Sequence, residues 1–284
     1  MITGANGLLG RALRMSLDRE NIDTIATGLG TDRIGSHNHI YENLDVTNST
    51  MVNELLEQYS PDVIINAAAM TNVDDCEIDK KRCQAVNCDS IDHFMGYAKN
   101  KNCHFIQIST DFVFNGRLGN YEECDNCDPI NQYGLSKFNA EQKIINSNIN
   151  YSILRTSLLY SVAQGSGGFL SWLKSNLCEN KTLNLVDDQY RTPTLVMDLI
   201  RSIKSVAILK KYGIFHITSG EDLSIFDIAS IVVNYYNFDY NLINKIQSDH
   251  LNQIAKRPKN SGLNISKATK ELNFIPTNFK KSLN

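Results

Sequence analysis

The sequence predicts an α/β fold, a doubly wound parallel sheet with helices on both faces, joined to a smaller C-terminal lobe. Three observations predict it. Short apolar runs alternate with longer amphipathic ones through residues 1–155. Several of the short runs, such as Val63-Ile64-Ile65, are apolar throughout, as strands are when helices cover both faces of a parallel sheet. After Arg155 that rhythm changes, which marks the start of a second region.

In chain order the strand candidates are Met1–Thr3, Asp23–Thr27, a weaker His39–Glu42, Asp62–Asn66, His104–Ser109, Tyr151–Arg155 and Gly213–Thr218. Between the first six lie helical patterns at Leu8–Arg19, Ser49–Gln58, Lys81–Lys99 and Tyr133–Asn146. Asn48 or Ser49 can cap the second of these. Repeated strand–helix alternation implies right-handed crossovers and a doubly wound sheet. Residues 156–192 read as loop-rich, with Gly165, Gly167 and Gly168 before a short helix from Phe169. Val196–Leu209 and Phe226–Tyr236 read as helices, the latter with Ser224 as cap and Asp227 three residues on. The expected division is 1–157 and 158–284, with about 194–220 returning to the first domain because 213–218 again reads as a core strand.

Composition narrows the class of partner. The 284 residues are 42% hydrophobic and 21% charged, ordinary for a globular chain. A net charge of −3 gives no basic field for nucleic acid or an anionic membrane. No stretch has the length of a membrane span, and the N-terminus lacks the basic and apolar regions of a signal peptide. Seven scattered cysteines suggest reduced thiols and a cytoplasmic setting. Cys124-x-x-Cys127 has no second ligand pair at suitable spacing, so no metal is expected. Only three residues precede Gly4, fewer than the ~5 of a usual strand, which suggests a native chain that starts further upstream.

Gly4-x-x-Gly7-x-x-Gly10 falls between a strand and a helix. Glycines there allow a tight turn and close approach to a pyrophosphate at the helix N-terminus, the Rossmann arrangement for a dinucleotide. The second strand ends in Thr27-Gly-Leu-Gly-Thr-Asp-Arg33. With no acid at the strand end, space at Gly28 and Arg33 nearby, NADP(H) is preferred, with NAD(H) as second choice. Tyr133-Gly-Leu-Ser-Lys137 places a phenol and an ammonium on one helix face. A cation beside a tyrosine lowers its pKa, so the phenol can exchange a proton with a carbonyl or alcohol. Thr110 ends the fifth strand, where open α/β sheets bind ligands, and its hydroxyl can join Tyr133 at the substrate oxygen.

These segments, with NAAAMTNVD at 66–74, STDFVFNG at 109–116 and RTSLLY at 155–160, resemble the extended short-chain dehydrogenase/reductase superfamily. DQYRTPT at 188–194 and RPKNSGLN at 257–264 narrow the resemblance to the dTDP-4-dehydrorhamnose reductase family. It implies NADPH-dependent reduction of the 4-keto group of a nucleotide-linked deoxysugar in dTDP-rhamnose biosynthesis. Thr110, Tyr133 and Lys137 would be catalytic. Gly4, Asn6, Gly7, Leu8, Leu9 and Gly10 would form the pyrophosphate turn, with Arg33, Asp45, Val46, Ala67, Ala68, Ala69 and Asn87 also at the cofactor. Asp111, Leu158, Arg191 and Arg257 would meet the substrate. Two positions depart from the family pattern: Leu158 stands where a Trp is common and Arg191 where a Gly is usual. Both fall near the sugar, so they leave the chemistry intact and its substrate open. A homodimer is left open as the assembly.

Two other readings remain. The chain also resembles the regulatory beta subunit of methionine adenosyltransferase, a binding protein that has no need of the Thr–Tyr–Lys set. A nucleotide-sugar epimerase or dehydratase is the nearer rival, but a dehydratase wants a pair of carboxylates after the Thr and only Asp111 follows it.

Overall fold

A computed structural model describes residues 1–35 and 39–284. The first half runs β1 (Ile2–Thr3), α1 (Leu8–Asp18), β2 (Thr24–Gly28), β3 (His39–Asn43), α2 (Ser49–Tyr59), β4 (Val63–Asn66), α3 (Val73–Ile78), α4 (Lys80–Asn87), α5 (Asp92–Asn100), β5 (His104–Thr110), α6 (Gln132–Ile145) and β6 (Tyr151–Thr156). The second half adds β7 (Leu159–Tyr160), α7 (Gly168–Cys178), β8 (Leu183–Val186), β9 (Tyr190–Arg191), β10 (Thr194–Leu195), α8 (Val196–Leu209), β11 (Gly213–His216), β12 (Leu223–Ser224), α9 (Ile225–Tyr236), β13 (Ile243–Ile246) and α10 (Ser266–Leu272).

Seven strands form one sheet in the order β11-β6-β5-β4-β1-β2-β3. Every pairing in it is parallel. The order reverses between β1 and β4, and ligands of open α/β sheets bind outside the strand ends at such a switch. The fold is the doubly wound Rossmann type that the alternation predicts.

Strand alternation divides the core in two. On one face Ile65, Ile106, Leu154 and Phe215 pack against α1 and α8, whose Val196, Leu199, Ile200, Ile203 and Val206 recur at helical spacing. On the other, Ile64, Phe105 and Ile153 meet α2, α5 and α6. A separate core joins α7, β8, α9 and β13 in the second lobe, around Leu173, Leu185 and Val232.

Differences from the sequence reading have local causes. The single helix expected at Lys81–Lys99 is α4 and α5 separated by a 3₁₀ turn at Asp89–Ile91. There Ser90 Oγ donates to Val86 O at 2.7 Å, a side-chain bond that competes with the helical ladder. Helix α3 went unrecognised because it is short and polar, held at its start by Asn72, which accepts from the amides of Asp74 and Asp75. The β8–β13 ladder pairs Leu183 with Ile243, and so distant a pairing leaves no local pattern. Asn48, rather than Ser49, caps α2 by accepting from Met51 N. Ser224 and Asp227 form a reciprocal capping box at α9.

Candidate active site

Gly4, Gly7 and Gly10 meet the sheet at the β1/β4 switch, each with a different role. Gly4 has φ +67°, and a Cβ there would lie 2.6 Å from Ala67 O. A Cβ on Gly10 would lie 2.3 Å from Gly4 O, so α1 can pack this closely only without a side chain. Gly7 is the N-cap of α1, and no side chain caps the helix there. The unpaired amides of that first turn are therefore available to an anion. Asn6 secures the turn: its amide donates to Leu29 O, Thr31 O and Tyr41 Oη, and its carbonyl accepts from Arg33 N.

A cavity of about 500 Å³ opens beside this turn. Its floor is Gly4, Gly7, Leu8, Leu9 and Gly10, with Ala67 and Ala69 beyond β4. Its far wall brings Thr110, Asp111, Tyr133, Lys137, Leu158 and Arg191 together. Seven other sequence candidates lie outside that lining. Arg33 is exposed at the β2 rim. Asp45 accepts from Thr47, while Val46 is buried in the core and its carbonyl meets His93 Nδ1. Ala68 N donates to Thr3 Oγ1. Asn87 is buried and fully engaged: it donates to Met70 O and Ser136 Oγ and accepts from Met70 N. Arg257 donates to Asp74 at 2.6 Å and to Ala255 O, and it lines a neighbouring groove of about 1030 Å³.

The placement of Tyr133 depends on Gly134. A Cβ there would lie 2.1 Å from Phe112 O, so the first turn of α6 lies hard against the turn after β5. Asn131 fixes the helix start, accepting from Gly134 N and donating to Lys256 O. Thr110 Oγ1 accepts from Phe112 N and donates to Asp111 Oδ1 at 3.1 Å. The Phe112 ring separates Tyr133, edge-on at 5.9 Å, from the Arg191 guanidinium at 5.0 Å.

Burial governs the electrostatics. It pushes the Tyr133 phenol well above its ordinary range, against the opposing hydrogen bond of Thr110. The same burial pushes the Lys137 ammonium down to about 8, with Glu141 opposing. Desolvation thus acts on the Tyr133 phenol in the direction opposite to the one a neighbouring Lys137 would exert. Burial also raises Asp111, opposed chiefly by Arg191. Asp111 Oδ2 accepts from Ser261 Oγ and lies 3.8 Å from Arg191 Nε.

Sequence reasoning missed the support beneath Lys137. Glu141, one turn on, is buried and accepts from Ser109 Oγ and from Arg155, whose Nη2 approaches to 2.7 Å. A Glu four residues after the YxxxK lysine and an Arg opening RTSLLY were its only visible traces.

The arrangement offers an anion-binding turn, a protonated phenol and a cation around one cavity. The family model for the RmlD substrate binding domain matches residues 1–284. A probable low-salt glycan biosynthesis reductase, Agl14 of Haloferax volcanii, is 31% identical over 95% of this chain and 91% of its own length. Methionine adenosyltransferase 2 subunit beta of Mus musculus is 27% identical over 94% of this chain and 80% of its own. The solved structure of a dTDP-4-dehydrorhamnose reductase from Bacillus anthracis in complex with NADP superposes with a TM-score of 0.88 at 28% identity, covering 99% of this chain and 95% of that one. Matched from end to end, the chain belongs to the RmlD substrate-binding domain family.

Proposed function

We propose that this chain reduces the 4-keto group of a nucleotide-linked deoxysugar, as the dTDP-4-dehydrorhamnose reductase name of its structural neighbour suggests. The observation that carries the reading is one cavity that joins the glycine turn to Thr110, Tyr133 and Lys137. A nicotinamide dinucleotide fits it. The uncapped first turn of α1 suits a pyrophosphate, and the crowding at Gly4 and Gly10 leaves the backbone itself as the binding surface.

When bound, NADPH supplies the hydride. The protein's part is geometry and a proton. Tyr133, a phenol and therefore protonated near neutral pH, would donate to the carbonyl oxygen as charge develops there. Thr110 would orient that oxygen, and Lys137 would hold the nicotinamide ribose with its positive charge in the same cavity. Exposed Arg33 is the proposed partner of the 2′-phosphate, Asp45 and Val46 would meet the adenine, and Ala67, Ala68 and Ala69 would line the cofactor groove. Asn87 would act through the Met70 loop that it holds. Arg257 would border the nucleotide end of the substrate in the wider groove. Residues 1–157, with about 194–220 returning to them, would then carry the cofactor and the rest of 158–284 the substrate, in a cytoplasmic enzyme.

The test is a panel of nucleotide 4-keto-6-deoxysugars with NADPH or NADH, followed at the nicotinamide absorbance. One equivalent of cofactor oxidised per sugar, with NADPH preferred, is expected. No oxidation with any sugar would defeat the reading. The likeness to methionine adenosyltransferase 2 subunit beta favours a second one, an NADP-binding regulatory subunit. That reading predicts tight NADPH binding with no turnover on the same panel.

A further inference from the structure

Thr110 has one proton to donate, and its partners show where that proton goes. Oγ1 donates to Asp111 Oδ1 at 3.1 Å and accepts from Phe112 N at 3.2 Å. A hydroxyl has two lone pairs, and the second is left to the Tyr133 phenol, with which Thr110 hydrogen-bonds. So arranged, Thr110 offers the cavity no donor for a carbonyl oxygen. The cause lies in Asp111. Its other oxygen, Oδ2, accepts from Ser261 Oγ and lies 3.8 Å from Arg191 Nε. With donors gathered at Oδ2, the end of the carboxyl group that can take a proton is Oδ1, against Thr110.

We propose that Asp111 is a positioning residue acting through Thr110, whose hydroxyl it turns toward the cavity as a donor when Oδ1 carries a proton. This rests on the reductase reading and deepens it by assigning the residue that controls the second donor at the carbonyl oxygen. With Oδ1 protonated, the Asp111 O–H donates to Thr110 Oγ1. Phe112 N already holds the other lone pair, so the Thr110 proton is released to the oxygen that Tyr133 also addresses. Asp111 keeps its own proton throughout: the hydride goes to the carbonyl carbon, Tyr133 supplies the proton, and Thr110 adds a hydrogen bond. Burial favours the acid form. Asp111 is 2% exposed, and desolvation raises its pKa against the opposing charge of Arg191. The groups that face it are Arg191 on β9, Tyr133 on α6 and the hydroxyls of Ser261 and Ser157, with Lys137 in the same cavity. Arg257 and Asp222 act on Arg191 in turn.

The experiment follows kcat against pH for the wild type, Asp111→Asn, Ser261→Ala and Thr110→Val, with a 4-keto nucleotide sugar and saturating NADPH. Wild-type kcat should fall by about 10²-fold as rising pH ionises Asp111, the usual effect of losing one donor at an oxyanion. In Asp111→Asn, Ser261 and Arg191 hold the amide oxygen, so the amide N–H faces Thr110 and mimics the acid. That variant should lose this fall and keep only the one that follows deprotonation of Lys137, near pH 8. Ser261→Ala removes a donor to the carboxylate, and the fall should move up by about one pH unit. Thr110→Val should lack it, because Asp111 then has no hydroxyl to turn. Infrared difference spectra against pH give an arm that needs no turnover. The wild type should show a buried carboxylic acid band that is absent from Asp111→Asn and displaced in Thr110→Val. A fall that persists in Asp111→Asn or stays in place in Ser261→Ala, or an acid band that Thr110→Val leaves unmoved, would overturn the proposal. Absence of turnover with the band shift intact would instead count against the reductase reading alone.

Discussion

The glycine-turn wall of the cavity is set by backbone approaching backbone, with Gly4 against Ala67 and Gly10 against Gly4. The opposite wall is set by side chains that meet across the chain: Ser261 bonds Asp111 from 150 residues away and Arg191 bonds Pro258 from 67. One wall tolerates no added atom, while the other depends on buried charges being matched. Cofactor geometry on the first is thus a property of a short motif. On the proposed reading, sugar geometry on the second would be a property of the whole fold.

Predictions that break this contrast begin with the buried network between β5, α6 and β6, behind the side-chain wall. Arg155→Met leaves Glu141 buried beside Ser109 without its cation. It should cost about 3–5 kcal/mol of stability, seen in chemical denaturation. A loss below 1 kcal/mol would show that Glu141 takes up a proton at little cost.

Acid should weaken the sheet from a different side. His104 is buried on β5 with Nε2 2.7 Å from Ser152 Oγ, and burial pushes its pKa down to about 4. The unfolded chain therefore binds a proton that the folded one refuses between about pH 6.5 and 4. Its contribution is complete above pH 6.5 and is lost as pH falls through that window, by about 1.4 kcal/mol per unit. His104→Gln should flatten the fall in melting temperature over the same range, and an unchanged slope would assign it to other groups.

Glycine substitutions separate the two walls most sharply. Gly10→Ala and Gly134→Ala each force a methyl into backbone, and each should cost about 1–3 kcal/mol. Gly10→Ala should mainly reduce NADPH affinity. Gly134→Ala, which displaces Tyr133 from Thr110, should mainly reduce kcat. The same pattern of loss from both would mean that the walls are not independent.

The smallest effect is expected at Arg33, which is exposed. Arg33→Ala should weaken NADPH binding by about 2–5-fold and leave NADH unchanged. Equal losses would make it a structural residue of the loop.

The same contrast explains what the sequence made legible. The sheet, the glycine turn and the Tyr133–Lys137 pair follow from apolar periodicity and from motifs whose partners lie within a few residues. Ser261, Glu141 and Arg155 were invisible because their partners are set by packing between strands far apart in the chain. Arg191 was expected at the substrate, but not its anchoring by the carbonyls of Pro258 and Tyr190, which packing brings to it. Gly134 looked like an incidental residue of YGLSK until the Phe112 carbonyl lay beside it. Asn6 and Asn87 read as cofactor contacts, yet the structure shows their side chains spent on holding loops.

The central claim is that the protonated Tyr133 phenol, half-buried on the cavity wall, supplies the proton for carbonyl reduction. Its most direct test is turnover of a 4-keto nucleotide sugar by Tyr133→Phe, followed at the nicotinamide absorbance, beside NADPH binding to the same protein. Turnover should fall by about 10²–10⁴-fold with NADPH affinity nearly unchanged. Near-normal turnover in the variant would contradict the account.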